Sequence, residues 1–164
     1  RDFEGRSALL LGKAKDNNAS CAIGPVLRLF DETFSFEELR SLHVRLDVRG
    51  ADDGFALRDE SALAEISRDP LDLVRQTAGD THQYPDGFML FLGSLFAPTQ
   101  DRGAPGNGFT HQLGDEVRIG CARLGTLLNT VNQSDRIAPW TFGIRQLMAS
   151  LAERGLLRTS SGSN

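Results

Sequence analysis

The sequence "LHVRLDVRG" (residues 42–50) alternates apolar and polar side chains along its whole length. The alternation separates an apolar set from a polar set: Leu42, Val44, Leu46 and Val48 against His43, Arg45, Asp47 and Arg49. A period of two predicts a β-strand that is buried on one face only. The turn-forming "GADDG" (50–54) follows and "FALRD" (55–59) returns, so we predict a β-hairpin.

Two helices are predicted from capping signals. Ser35 is followed three residues later by Glu38, the pattern of a capping box, which predicts a short helical turn. Asp69 precedes Pro70, and proline is favoured at the first helical position, so a second helix should run from there to about Ala78.

The remaining segments add strands, one helix and one long loop. Two apolar runs of strand length, residues 23–30 and 88–92, are predicted as strands, the second buried on both faces. "EVRIGCARLGTLLNTV" (116–131) predicts two strands around a turn, and "TFGIRQLMASLAERG" (141–155) has helical spacing. The glycine-rich 101–115 segment predicts a surface loop. The fold class expected is therefore α+β, rich in strands with a few short helices.

Composition excludes several classes of protein. A chain of 164 residues is long enough for one domain with a core. Its net charge is -4 and its basic residues are scattered, so we expect no nucleic-acid partner and no membrane partner. Cys21 and Cys121, two cysteines a hundred residues apart, make neither a disulfide framework nor a set of paired metal ligands. Both lie in or beside apolar runs, so we expect buried, reduced thiols and a cytoplasmic location.

Both lysines of the chain lie in "GKAKDNNASCAIGP" (12–25), whereas its other sixteen Lys and Arg residues are all arginine. A lysine amine is a compact charge whose pKa moves on desolvation, which an arginine guanidinium cannot match. Lys13 and Lys15 are therefore candidates for chemistry. The alternative is that both are solvated side chains beside a turn.

Other chemistry-bearing side chains give weaker signals. Asp2 and Glu4 form a D-x-E pair that could hold a divalent cation, although a solvated terminus is the more frequent arrangement. His82, Gln83 and His111 could act in acid–base or polar contacts, but residues of these types more often form surface turns.

Three motifs follow one another along residues 1–131: "RDFEG" (1–5) with "GKAKDNNASCAIGP" (12–25), then "PDGFMLFLGSLFAP" (85–98), then "FTHQLGDEVRIGCARLGTLLNTV" (109–131). In this order they resemble the fumarylacetoacetate hydrolase superfamily. The first resembles the segment that follows the metal site of that family, with its functional lysine at Lys15. The matching positions of this motif are Arg1, Asp2, Phe3, Glu4, Lys15, Ser20, Cys21, Ile23, Gly24 and Pro25.

The second and third motifs lie further along the chain. "PDGFMLFLGSLFAP" (85–98) is similar to a family strand and puts Ser94 where the family has a substrate-contacting threonine. "FTHQLGDEVRIGCARLGTLLNTV" (109–131) resembles the family's ending through Gly114, Asp115, Val117, Ile119, Gly125, Leu127, Asn129 and Val131. The segment "HQYPDGFMLFLG" (82–93) resembles the branch of the family close to 2-keto-3-deoxy-sugar-acid dehydratases.

The resemblance implies a mixed β-roll and a cytoplasmic, homodimeric, metal-dependent enzyme of sugar-acid catabolism. Its substrate would be a 2-keto acid, in which a C–C bond is hydrolysed or from which water is eliminated. Mg²⁺ or Mn²⁺ would act as Lewis acid. Lys15 and Glu4 would be catalytic, and Arg1 and Ser94 would bind the substrate.

The family's metal ligands are an E-x-E pair and an aspartate that lies shortly before the R-D segment. We therefore expect no metal ligand within this chain, with the ligands lying ahead of Arg1. Residues 1–157 would form the C-terminal portion of a single catalytic domain, incomplete at its N-terminus and inactive alone, and residues 158–164 a flexible tail. The alternative is a non-catalytic β-rich module for binding or assembly that keeps the superfamily fold.

Overall fold

A computed structural model describes residues 18–92 and 98–157. These residues belong to two compact units. The larger covers residues 22–132 and contains the sheet; the smaller includes the described residues 18–21 and 133–157. The α+β class predicted from the sequence is confirmed, because a four-stranded antiparallel sheet is accompanied by a few short helices.

Nine regular elements follow one another in the described residues. They are α1 (Phe36–Arg40), β1 (His43–Arg49), β2 (Ala56–Ala62), a 3-10 turn (Leu63–Glu65), α2 (Pro70–Thr77), β3 (Glu116–Cys121), β4 (Gly125–Thr130), a 3-10 turn (Ser134–Arg136) and α3 (Ile144–Glu153). None of the helices in this part of the chain is long and apolar enough to cross a bilayer.

The sheet has the order β2-β1-β3-β4, and every neighbouring pair is antiparallel. Strand β1, which contains most of the alternating stretch, is therefore central. Its Val48 lies opposite Leu57 of β2 and Val117 of β3, so three apolar side chains share one row of one face. The predicted strand, its hairpin and the later pair of strands are all confirmed.

The core consists of two small clusters at the two ends of the apolar face. Val48, which is fully buried, packs with Leu57 and with Phe109 from the loop before β3. The second cluster joins Phe34, Leu42 and Leu63, the residues just outside α1, β1 and β2. The sheet is thus anchored by the segments that enter and leave its strands.

The helix predictions are also confirmed, with their caps. The Ser35 hydroxyl accepts a hydrogen bond from the Glu38 N–H at 3.1 Å, and the Asp69 carboxylate accepts one from the Leu71 N–H at 2.9 Å. Each cap satisfies a backbone donor that the first helical turn leaves without a partner. Helix α3 ends shortly before Gly155, whose φ of 66° favours glycine.

The strands predicted at residues 23–30 and 88–92 are wrong. Both segments are irregular, and most of their apolar side chains are exposed, with Leu27 at 77% and Phe91 at 60%. Cys21, which was expected to be buried, is exposed as well, and Cys121 is half-buried. An apolar run signals burial without specifying a strand. In the first segment Pro25 also lacks the N–H that a strand ladder needs.

Asp69 has two structural roles, since its carboxylate also accepts from Arg40 Nε at 2.8 Å. We expect Asp69→Ala to lower the melting temperature more than Asp72→Ala, which removes only an exposed ion pair with Arg68. Asp69→Asn should fall between them, because an amide oxygen can still cap the helix. Thermal unfolding followed by circular dichroism measures the order. Equal melting temperatures for the two alanine variants would contradict this role.

Candidate functional site

A buried guanidinium lies between two carboxylates at one end of the sheet. Arg102 Nη1 is 2.6 Å from Asp115 Oδ2, and Nη2 is 2.8 Å from Oδ1, which makes the pair bidentate. Arg102 Nε also donates to Asp53 Oδ2 at 2.8 Å. The side chains of Arg102 and Asp115 are only 2% and 0% exposed.

Three different parts of the chain supply this ion-pair cluster of Asp53, Arg102 and Asp115. Asp53 comes from the β1–β2 turn, Arg102 from the loop before β3, and Asp115 from the residue directly before β3. Gly50 makes the approach possible, because a Cβ at that position would lie 1.9 Å from Asp53 Oδ1. Any side chain at position 50 would displace the Asp53 carboxylate from this position.

The remaining polar groups around the guanidinium are satisfied. Arg102 Nη1 also donates to the Thr110 carbonyl at 3.2 Å, and the Gln112 N–H donates to Asp115 Oδ2 at 2.9 Å. The Arg102 guanidinium carbon lies 4.6 Å from the centre of the Phe55 ring, at a cation–π distance.

Hydrogen bonds from Arg102 lower the pKa of Asp115, although burial acts in the opposite direction. The same guanidinium lowers the pKa of Asp53. His111 Nδ1 lies 3.6 Å from Asp115 Oδ2, with its ring against the edge of Phe109. Because both carboxylates are ionised and held at neutral pH, this arrangement is suited to fixing the loop and not to abstracting a proton.

An apolar groove of about 260 Å³ brings together residues of the first and third sequence motifs. Its lining includes Gly24 and Pro25 from the first motif and Ile119, Gly125 and Leu127 from the third. The two motifs are almost a hundred residues apart in sequence, and the fold places them side by side.

A second groove of about 550 Å³ lies over the other face of the sheet. It has a mixed lining, with charged residues such as Arg45, Asp47 and Arg118 beside apolar ones such as Leu42 and Ala122. Arg45 Nε lies 2.6 Å from Glu60 Oε2, and Arg118 Nε lies 2.8 Å from Glu116 Oε1. Because these two arginines are already paired with carboxylates of the same sheet, the second groove has little excess charge with which to hold an ion.

The four site residues implied by the family resemblance, Lys15, Glu4, Arg1 and Ser94, all lie outside the described residues. So do Lys13 and Asp2. Their predicted roles stay predictions. Of the residues that the structure describes, no three His, Cys, Asp or Glu side chains are grouped so that they could hold a metal ion.

His82 and Gln83 lie in a surface turn, which is the arrangement that residues of these types more often adopt. The His82 N–H donates to the Gly79 carbonyl at 3.1 Å, and Gln83 Nε2 donates to the Asp80 carbonyl at 2.5 Å. Both residues are exposed. The structure therefore places both residues in an exposed, hydrogen-bonded turn.

Sequence reasoning missed Arg102 and Asp53. An arginine inside a glycine-rich loop shows no periodicity, and its neighbours Asp101 and Gly103 are both exposed. The signal that was present is Asp115: the third motif places it directly before the strand, and it is fully buried. A buried carboxylate requires a cation, although sequence alone does not say which one.

Comparisons of this chain with family models, with curated proteins and with solved structures found no match. The function of the chain is therefore inferred from its own residues and from the sequence resemblance described above.

Replacing Arg102 tests how much the fold depends on the ion-pair cluster. Arg102→Met leaves Asp115 buried without its partner, which should lower the free energy of unfolding by about 3–5 kcal/mol. Arg118→Met, which breaks an exposed pair, should cost much less. Urea unfolding measures both. Arg102→Met combined with Asp115→Leu should recover part of the loss, and equal costs for the two single variants would contradict the argument.

The ionised form of Asp115 should make stability depend on pH in acid. Because folding lowers its pKa below the ordinary value near 3.8, its contribution is complete above that value and is lost as the pH falls towards the folded-state pKa. The difference in unfolding free energy between the wild type and Asp115→Asn should therefore be constant near neutrality and shrink below about pH 4. Urea titrations at several pH values measure this difference. A difference that grows in acid would contradict the lowered pKa.

Proposed function

We propose that this chain is the C-terminal portion of the catalytic domain of a metal-dependent, fumarylacetoacetate hydrolase-type enzyme that acts on 2-keto acids. The reaction would be hydrolysis of a C–C bond in a diketo acid or dehydration of a 2-keto-3-deoxy sugar acid. The fold proposed for it is the mixed β-roll of that family, of which the antiparallel sheet would be part.

The observation that carries the proposal is the order of the three motifs along residues 1–131, together with the apolar groove. The end of the first motif, at Gly24 and Pro25, meets the strand residues Ile119 and Leu127 of the third. Motifs that resemble one family and also meet in space are more informative than motifs that match in sequence alone.

The roles proposed for individual residues follow from their chemistry. Lys15 supplies a compact ammonium group that can meet negative charge on the substrate and donate a proton. Ser94 donates its hydroxyl to the substrate carboxylate, and Arg1 supplies a cation for the same group. Glu4 accepts a hydrogen bond or acts as base.

The proposed cofactor is Mg²⁺ or Mn²⁺, which when bound would supply Lewis-acid chemistry. The described residues do not fit such an ion, because no group of carboxylate or imidazole side chains in them could hold it. The ligands of the proposed ion would therefore lie outside the described residues. None of the residue roles given above depends on a contact with the ion.

A second candidate function is a non-catalytic module for binding or assembly. It is favoured by the apolar side chains that residues 23–30 leave exposed, including Val26 and Leu27 at 77% each. Exposed apolar patches mark interaction surfaces. The same surface is compatible with the homodimer proposed for the enzyme.

The two lysines provide a matched pair of variants for the enzymatic proposal. With the natural full-length protein, Mg²⁺ and both substrate classes, Lys15→Arg should lower kcat by about 100-fold or more, because the movable proton donor is lost. Lys13→Arg should leave kcat unchanged, since the resemblance gives Lys13 no role. Steady-state kinetics measure both rates.

Equal rates for the wild type and both lysine variants would remove Lys15 from the mechanism. Absence of turnover by a folded, metal-supplied wild type on either substrate class would favour the binding or assembly module instead.

A further inference from the structure

The loop before β3 contains the only Asn-Gly pair of the chain, Asn107–Gly108. Both Gly106 and Gly108 have positive φ, at 84° and 67°, so the loop has a defined backbone that other residues would strain. Asn107 is exposed.

Asn-Gly pairs are chemically unstable when the backbone is free to react. The backbone nitrogen of the glycine attacks the side-chain carbonyl carbon of the asparagine, its proton is lost, and ammonia leaves as a succinimide ring forms. Water then opens the ring to give aspartate or isoaspartate. Glycine favours the reaction because it has no side chain to obstruct the attack.

We propose that Asn107 is a latent deamidation site and that Asp101 protects it. The Gly108 N–H, whose nitrogen would be the nucleophile, donates to Asp101 Oδ1 at 2.7 Å. The Gly106 N–H donates to the other carboxylate oxygen at 2.8 Å. Two hydrogen bonds therefore fix the loop to one carboxylate on both sides of Asn107.

The carboxylate protects the amide for an electrostatic reason. Loss of the Gly108 proton would place a negative nitrogen directly against the negative Asp101, so the reactive form of the amide is disfavoured. The same hydrogen bond directs the N–H towards Asp101. The Asn107 side chain extends across the loop towards Gly103. A Cβ at position 103 would lie 3.8 Å from Asn107 Nδ2.

Asp101 is also a poor general base for this reaction. The backbone hydrogen bonds from Gly106 and Gly108 lower its pKa, and a carboxylate with a lowered pKa accepts a proton less readily. The contact is therefore protective and not catalytic.

Deamidation at this position would affect the ion-pair cluster. The Gly108 carbonyl accepts a hydrogen bond from the Arg102 N–H at 3.1 Å, which closes the loop next to the buried guanidinium. An isoaspartate at position 107 inserts an extra carbon into the backbone directly before Gly108, and so displaces this acceptor. Modification of an exposed side chain would in this way loosen a buried interaction.

The experiment compares deamidation rates of purified variants incubated at neutral pH, measured by intact mass and peptide mapping. Asp101→Ala should accelerate the mass increase at Asn107 by about 10- to 100-fold, the rate equivalent of a hydrogen bond to a charged group. Asp101→Asn should be intermediate. Asp52→Ala, which removes the same charge from the exposed β1–β2 turn, should match the wild type. Asp101→Ala combined with Asn107→Gln should show no increase at position 107.

An Asp101→Ala rate equal to or below that of the wild type would overturn the proposal, and a lower rate would identify Asp101 as the base. If Asp101→Ala fails to fold by circular dichroism, the wild type is compared with a synthetic peptide of residues 101–108. The folded protein must deamidate more slowly than the peptide; equal rates would overturn the proposal.

Discussion

The fold of the larger unit depends on one buried guanidinium, which pairs with the fully buried carboxylate of Asp115 and with the partly exposed carboxylate of Asp53. Arg102 joins the β1–β2 turn, the loop before β3 and the first residue ahead of that strand. Removing two charges from water is costly, and the cost is recovered only when geometry and hydrogen bonding are complete. Here they are complete on both sides of the Arg102–Asp115 pair. The arrangement therefore permits very few alternative positions for the loop.

This constraint also explains why so small a core is sufficient to order the sheet. Among the described residues, the hydrophobic core consists of six buried side chains in two clusters of three. The ion-pair cluster lies next to the cluster built on Val48, since Phe55 contacts both the guanidinium and the Phe109 ring. Apolar packing and charge pairing thus stabilise the same end of the sheet.

Local patterns were sufficient to predict most regular elements. The alternation of residues 42–50 specified the central strand, and Ser35 and Asp69 specified two helix starts, because each of these signals is local. The strands predicted at 23–30 and 88–92 were wrong because an apolar run does not encode its partner. Arg102 could not be predicted, since its burial depends on two carboxylates 49 and 13 residues away in sequence. Among the proposed site residues, Lys15 was also indicated by the chain's use of arginine elsewhere, whereas the roles of Glu4 and Arg1 depend on the family resemblance.

The two outer strands of the sheet differ in charge. Strand β2 carries three consecutive charged residues, Arg58, Asp59 and Glu60, whereas β4 (Gly125–Thr130) carries none. Charges on a border strand discourage intermolecular pairing, because a neighbouring strand would have to dehydrate them. Fibrillar growth is therefore disfavoured at β2 by its charges. At β4, which has no charges, only the shape and twist of the strand can oppose it.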